Sequence, residues 1–199
     1  MRKAEGGRRK AVGPLDSWLP LTVASVSSDR AFVEAQLERS VRSEVEVVAR
    51  CHLAMPVVIR VPPFLDDGTP FPTRYWLTCP LASRRIGRLE SVGGIAAMER
   101  RAEQIPEFGR RLDEAHERYA AERDGLVPAG VEPRPSGGVG GARAGVKCLH
   151  AHYADYAAGN PNPVGEATAP WVEPLDCSVT CVVASDGRAV RNPEWRERT

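Results

Sequence analysis

The sequence predicts a single α+β domain, with a short antiparallel sheet of about three strands and four or five helices packed against it. Three observations carry this. A chain of 199 residues is the length of one domain and long enough to bury a hydrophobic core. Three β-prone runs, "EVEVVAR" (44–50), "PVVIRV" (56–61) and "TRYWLTC" (73–79), are joined by linkers too short for helical crossovers, which makes them antiparallel neighbours. Beyond residue 80 the apolar residues recur with helical spacing, interrupted by Gly and Pro.

Taken in order, residues 1–28 mix Gly, Pro, Ser and basic side chains and read as a disordered tail. Its first ten positions hold Arg2, Lys3, Arg8, Arg9 and Lys10 against Glu5. Asp29 can cap a helix reaching about Val41, with Phe32, Leu37 and Val41 on its apolar side. After the second strand, "PPFLDDGTPFP" (62–72) is a turn-rich loop. Pro80 fits the first turn of a helix carrying Leu81, Ile86, Leu89 and Val92, and Gly93-Gly94 stops it. A further helix with Ile95, Met98 and Ala102 is broken by Pro106. From there Phe108, Leu112, Ala115, Tyr119 and Leu126 form a helical stripe. Glu107–Arg111 and Glu114–Arg118 are its expected i,i+4 pairs. A Gly/Pro loop (127–145) leads to a helix from about Val146 to Ala158, ended by Gly159. "NPNPVGEATAPW" (160–171) reads as a turn plus a short apolar segment. A β-like run follows at Thr180–Ala184, closing a domain of residues 29–184, and 185–199 read as a polar tail.

Composition narrows the functional classes. The net charge is +1, so nothing argues for a globally nucleic-acid-binding surface. Five cysteines cannot all pair, which points to a reduced, cytoplasmic protein. "WLPLTVASV" (18–26) imitates a signal peptide, but Asp16 and Pro20 interrupt it and its core is short. No run approaches about 18 apolar residues, so no membrane span is expected. The Gly-rich loop is no phosphate loop, because Lys147 is followed by Cys148 rather than Ser or Thr and no strand leads into it. Lys147 beside a helix start leaves a weak anion site open.

The chemistry concentrates in "GVKCLHAHYADY" (145–156). If the helix already includes Cys148, then Cys148 and His152 share a face at i,i+4 and His150 points away. If "KCLH" is extended, Cys148 and His150 share a face instead. Two of the three can serve one metal, and tetrahedral zinc needs further ligands. Cys79 at a strand end and His116 beside the helical stripe are the candidates. Cys177 and Cys181 have a C-x₃-C spacing, and Cys51-His52 follows a strand. The rival chemistry is a thiol nucleophile: Cys148 near a helix start and Lys147 favours the thiolate, with His152 or His116 as base. Asp155 and Glu166 are the nearest acidic orienters. A third reading is a protein- or nucleic-acid-binding module built on Arg84, Arg85, Arg88, Arg100, Arg101, Arg110 and Arg111.

The segments "DDGTPFPTRYWLTCP" (66–80), "RLESVGG" (88–94), "AHERYAAERD" (115–124), "VKCLHAHYADYAAG" (146–159) and "NPVGE" (162–166) together resemble the bacterial "domain of unknown function 501" family. Arg50-Cys51 and the following "PVVIRVPP" fit the same pattern. The resemblance covers roughly residues 29–171 and implies a small cytosolic protein, but no reaction. Its chemical positions here are Cys51, Cys79, His116, Cys148, His150 and His152. Cys177 and Cys181 lie in a variable tail. The leading expectation is a metal-binding protein, zinc foremost, with Cys79, His116, Cys148, His150 and His152 sharing one site.

Overall fold

The computed structural model describes residues 24–197, with side chains from residue 29 onward. The expected tail at 1–28 therefore lies outside the described residues except for 24–28. Those five residues open the first helix, α1 (Ala24–Leu37). Asp29 thus sits inside the helix rather than capping it, and its carboxylate accepts from Arg50 at 2.6 Å. α1 ends at Leu37, where Glu38 takes a positive φ of 55°.

The sheet is the predicted one. β1 (Glu46–Arg50), β2 (Pro56–Arg60) and β3 (Tyr75–Leu77) lie in the order 1-2-3, antiparallel throughout. Val58 stands opposite Leu77, and Ile59 opposite Trp76. Side chains alternate across a strand, so β2 feeds two cores. Ile59 and Val61 pack with Val33 of α1 and Val41 on one face. Val58, Tyr75 and Leu77 face the larger core, made with the helices that follow. This explains why "PVVIR" reads as an unbroken apolar run.

The helices on that larger face are α2 (Pro80–Ser91), α3 (Gly94–Gln104), α4 (Pro106–Asp124), α5 (Leu149–Ala157) and α6 (Pro163–Val172). Among the described residues six α-helices stand where four or five were expected. The extra one is α6, whose segment reads from sequence as a turn. Asn162 caps it by accepting from the Gly165 amide at 3.0 Å, and Pro163 fills its first position. α5 is nearly enclosed, with Leu149, His152, Tyr153, Ala154 and Asp155 all buried. It rests on α6 with no room for a side chain at Gly165, where an added Cβ would lie 2.3 Å from the Tyr156 Cβ.

Two details depart from the sequence reading. On α4, Arg110 pairs with Glu107 and Glu114, Arg111 reaches Glu166 on α6, and Arg118 turns inward to Asp155. The two expected glutamates pair instead with Arg110 on the same helix, and the two expected arginines reach other helices. Of the expected polar tail at 185–199, the described residues 185–197 are also packed structure. β4 (Val182–Ser185) and β5 (Arg188–Arg191) form a hairpin, Trp195 is buried, and Glu197 bridges Arg85 and Arg88 of α2. The tight Asp186-Gly187 turn is the local signal for that hairpin.

Candidate functional site

α5 begins three residues later than the sequence suggests. Cys148 is its N-cap and is extended (φ −162°, ψ 124°), and Leu149 is the first helical residue. The Cys148 side chain does not cap the helix. Glu90, near the end of α2, does so instead: its Oε1 accepts from the Leu149 amide at 2.7 Å. A carboxylate at a helix N-terminus also meets the positive end of the dipole. The anion-binding place at this helix start is therefore filled by the chain's own Glu90. Lys147 lies outside it, donating to the Gly140 carbonyl at 3.3 Å.

With Cys148 extended, His150 swings onto the same side. Its Nδ1 lies 3.7 Å from Cys148 Sγ and 3.2 Å from Glu90 Oε1. Its Nε2 lies 3.1 Å from the Ser83 carbonyl. A carbonyl can only accept, so Nε2 carries a hydrogen and Nδ1 turns its remaining site toward the carboxylate and the sulfur. The three ligand atoms all lie within 4.8 Å of one another. Burial opposes charge on His150, but the Cys148 sulfur, the Glu90 carboxylate and the Ser83 carbonyl outweigh it and raise the imidazole to about 9. The site favours positive charge on the imidazole. It opens on a cavity of about 530 Å³ whose lining includes Phe71, Trp76, Ser83, Lys147, Cys148 and His150.

The five expected ligands fall into three places, so the shared site predicted from sequence does not form as drawn. Cys148 and His150 stay together and gain Glu90. His116 and His152 stack edge to face, with ring centroids 5.5 Å apart, in the interior. His116 is saturated: Nδ1 accepts from the Val139 amide at 3.0 Å, and Nε2 donates to the Gly145 carbonyl at 2.9 Å. It latches the 127–145 loop to α4. Gly138 lies so close that a Cβ there would sit 2.3 Å from the His116 Nδ1.

His152 is fully buried, with Nδ1 against Asn162 Oδ1 at 3.1 Å. That oxygen also accepts from Gly165, so Nδ1 donates and Nε2 is left as an acceptor without a partner among the described residues. Burial first, and then the neighbouring His116, push this imidazole down to about 4, against the Asn162 hydrogen bond. His152 is therefore not the base for Cys148. The acidic candidates are also engaged elsewhere: Asp155 is held by Arg118, Asn160 and Asn162, and Glu166 by Arg111.

Cys79 occupies the N-cap position of α2 without a side-chain capping hydrogen bond and lies with Cys51, Cys177 and Cys181 around a different, enclosed cavity. Burial raises its thiol to about 12, against the pull of the Ala82 and Leu81 amides. Glu90 is the residue the sequence reading missed. It sits inside "RLESVGG", a segment that carries the family resemblance, but no spacing rule joins it to positions 148 and 150.

The fold and site together define a small α+β protein with a Glu/Cys/His centre at the start of a buried helix. The chain belongs to the family described as "Protein of unknown function (DUF501)", which matches residues 47–169, more than half of its length. The matched stretch includes Glu90, Cys148, His150, Cys51 and Cys79. No curated protein matches the chain, and no solved structure does. No helix among the described residues is long and apolar enough to cross a membrane.

Proposed function

We propose that this protein binds a zinc ion through Glu90, Cys148 and His150, with the remaining coordination position open to the adjacent cavity. The observation that carries this reading is the 3.2 Å approach of His150 Nδ1 to Glu90 Oε1, with the Cys148 sulfur beside them. Nε2 already holds the hydrogen, so two lone pairs face each other unless a cation lies between them. A proton can fill that role; a metal fills it and also uses the sulfur. Donation of the far ring N–H to the Ser83 carbonyl is the orienting contact that metal-bound histidines make. One nitrogen, one sulfur and one oxygen suit zinc, and three protein ligands with an open fourth position are the coordination of a zinc that does chemistry. Free cysteines at all five positions fit a reducing, cytoplasmic setting.

The second reading, a thiol enzyme, draws on the same contact. Cys148 faces a cavity with His150, rather than His152, as its proton partner. The binding-module reading draws less support. Of its seven arginines, Arg85, Arg88, Arg110 and Arg111 are paired with carboxylates, and Arg84 and Arg101 lie over Trp195 and Phe108.

Elemental analysis of the untagged protein tests the proposal. Wild type carries zinc, and Glu90→Gln and Cys148→Ser each carry less. If neither substitution changes the zinc content and Cys148 alkylates faster than a peptide thiol, the second reading replaces the first.

A further inference from the structure

Four of the five cysteines gather at a place the Glu90 centre does not use. Cys51 sits in a tight turn after β1, where its amide donates to the Met55 carbonyl at 3.0 Å. Cys79 starts α2, Cys177 lies in the chain after α6, and Cys181 immediately precedes β4. All four line one enclosed cavity of about 10 Å³, and the rest of its lining is apolar apart from Gln36. A cavity needs roughly 10–15 Å³ to hold one water, so there is room for a single atom and for no organic ligand. Among the described residues no carboxylate or imidazole lines it.

A buried cysteine is ordinarily a small apolar side chain, and one such residue calls for no function. Here four line one cavity, and two of their sulfurs accept from N–H donors. Gln36 Nε2 donates to Cys181 Sγ at 3.3 Å, and Trp195 Nε1 donates to Cys177 Sγ at 3.2 Å. A neutral thiol is a weak acceptor. Donors aimed at sulfur are what metal-bound thiolates carry as an outer shell.

We propose that Cys51, Cys79, Cys177 and Cys181 hold a structural zinc ion as a tetrathiolate. Binding releases the four thiol protons to solvent, so affinity rises with pH. The α2 start and Arg191, which acts on Cys181, offset part of the charge. Among the described residues only the Glu90 centre has three ligand atoms within 4.8 Å. Tetrahedral zinc with Zn–S near 2.3 Å therefore draws the sulfurs inward by side-chain rotation; Cys51 and Cys177 are the two that are not fully buried. Two of the ligands lie in the family-matched stretch and two beyond it. The ion would clamp the C-terminal hairpin to the β1–β2 turn and α2.

The test uses the untagged full chain, purified reduced and without chelator, and its Glu90→Gln/Cys148→Ser variant, which lacks the first centre. That variant retains one zinc per chain. Cobalt(II) exchanged into it gives the intense visible bands and near-ultraviolet sulfur charge transfer of a four-sulfur tetrahedral site. Adding Cys177→Ser and Cys181→Ser removes both signals. Should those substitutions prevent folding, the wild type supplies an independent reading: its thiols react slowly with a disulfide reagent until a strong chelator is added. Zinc lost wholly with Glu90 and Cys148 overturns this inference and leaves the first centre standing. Zinc that survives their loss, with the cobalt spectrum, supports it whether or not the Glu90 centre binds metal. Thiols that titrate equally fast with and without chelator, or cysteines recovered as disulfides, overturn it.

Discussion

Two histidines two positions apart differ in every property that matters. His150 is half-buried between a carboxylate and a sulfur and is raised to about 9, whereas His152 is sealed in the core and lowered to about 4. The sequence makes the stretch conspicuous but leaves the pairing open, because the pairing turns on whether Cys148 is helical or extended. The extended alternative, with Cys148 and His150 on one face, is the one realised. Glu90 stays hidden because tertiary packing alone brings the end of α2 to the start of α5. The His152 shift has a consequence for pH. Below its ordinary value near 6.5 the unfolded chain takes up a proton that the native imidazole refuses until about 4. Stability is full above pH 6.5 and falls as pH drops to 4, by about 3 kcal/mol from this group alone. Denaturation of wild type and His152→Gln across that range checks it: the variant has the shallower slope. An NMR titration in which His152 protonates near 6.5 in the native state would contradict the account.

At the scale of elements, most of the fold is legible because its signals are local. The three strands, Pro80 opening α2 and Gly159 closing α5 need only alternation, proline and glycine chemistry. α6 escapes because it is short, holds Pro170 within it and gains its stability from burial against α5 rather than from propensity. The 127–145 loop reads as mobile from its glycines, yet His116 fastens it at both Val139 and Gly145. That latch predicts a non-additive pair. Gly138→Ala drives a methyl into the His116 ring and destabilises the protein by about 1–3 kcal/mol, the usual cost of overpacking. In His116→Ala/Gly138→Ala the second substitution costs much less than it does alone. Chemical denaturation of the four proteins in the cycle measures the coupling, and strict additivity would remove the latch.

At the scale of the whole molecule, the C-terminal segment is part of the fold rather than an appendage. Its polar composition conceals one buried aromatic, Trp195, under the Arg84 and Arg191 guanidinium groups, and a carboxylate, Glu197, that serves two arginines of α2. Composition cannot reveal such contacts, since their partners lie on another element. Deleting residues 185–199 removes β5 and Trp195 together. Losing a buried Trp costs about 3–5 kcal/mol, and about 2–4 °C follows per kcal/mol in a chain of this size. The truncated protein should therefore melt on the order of 10 °C lower, and an unchanged melting temperature would show the segment to be dispensable. The central claim, however, is the metal centre joining α2 to α5. Its most direct test is anomalous diffraction from crystals of the untagged protein, recorded on either side of the zinc absorption edge. The account predicts an anomalous peak bonded to Cys148 Sγ and His150 Nδ1 at about 2.3 and 2.0–2.1 Å, with a Glu90 oxygen completing the set. No peak between Glu90, Cys148 and His150, in crystals of protein that has met zinc throughout purification, would contradict it.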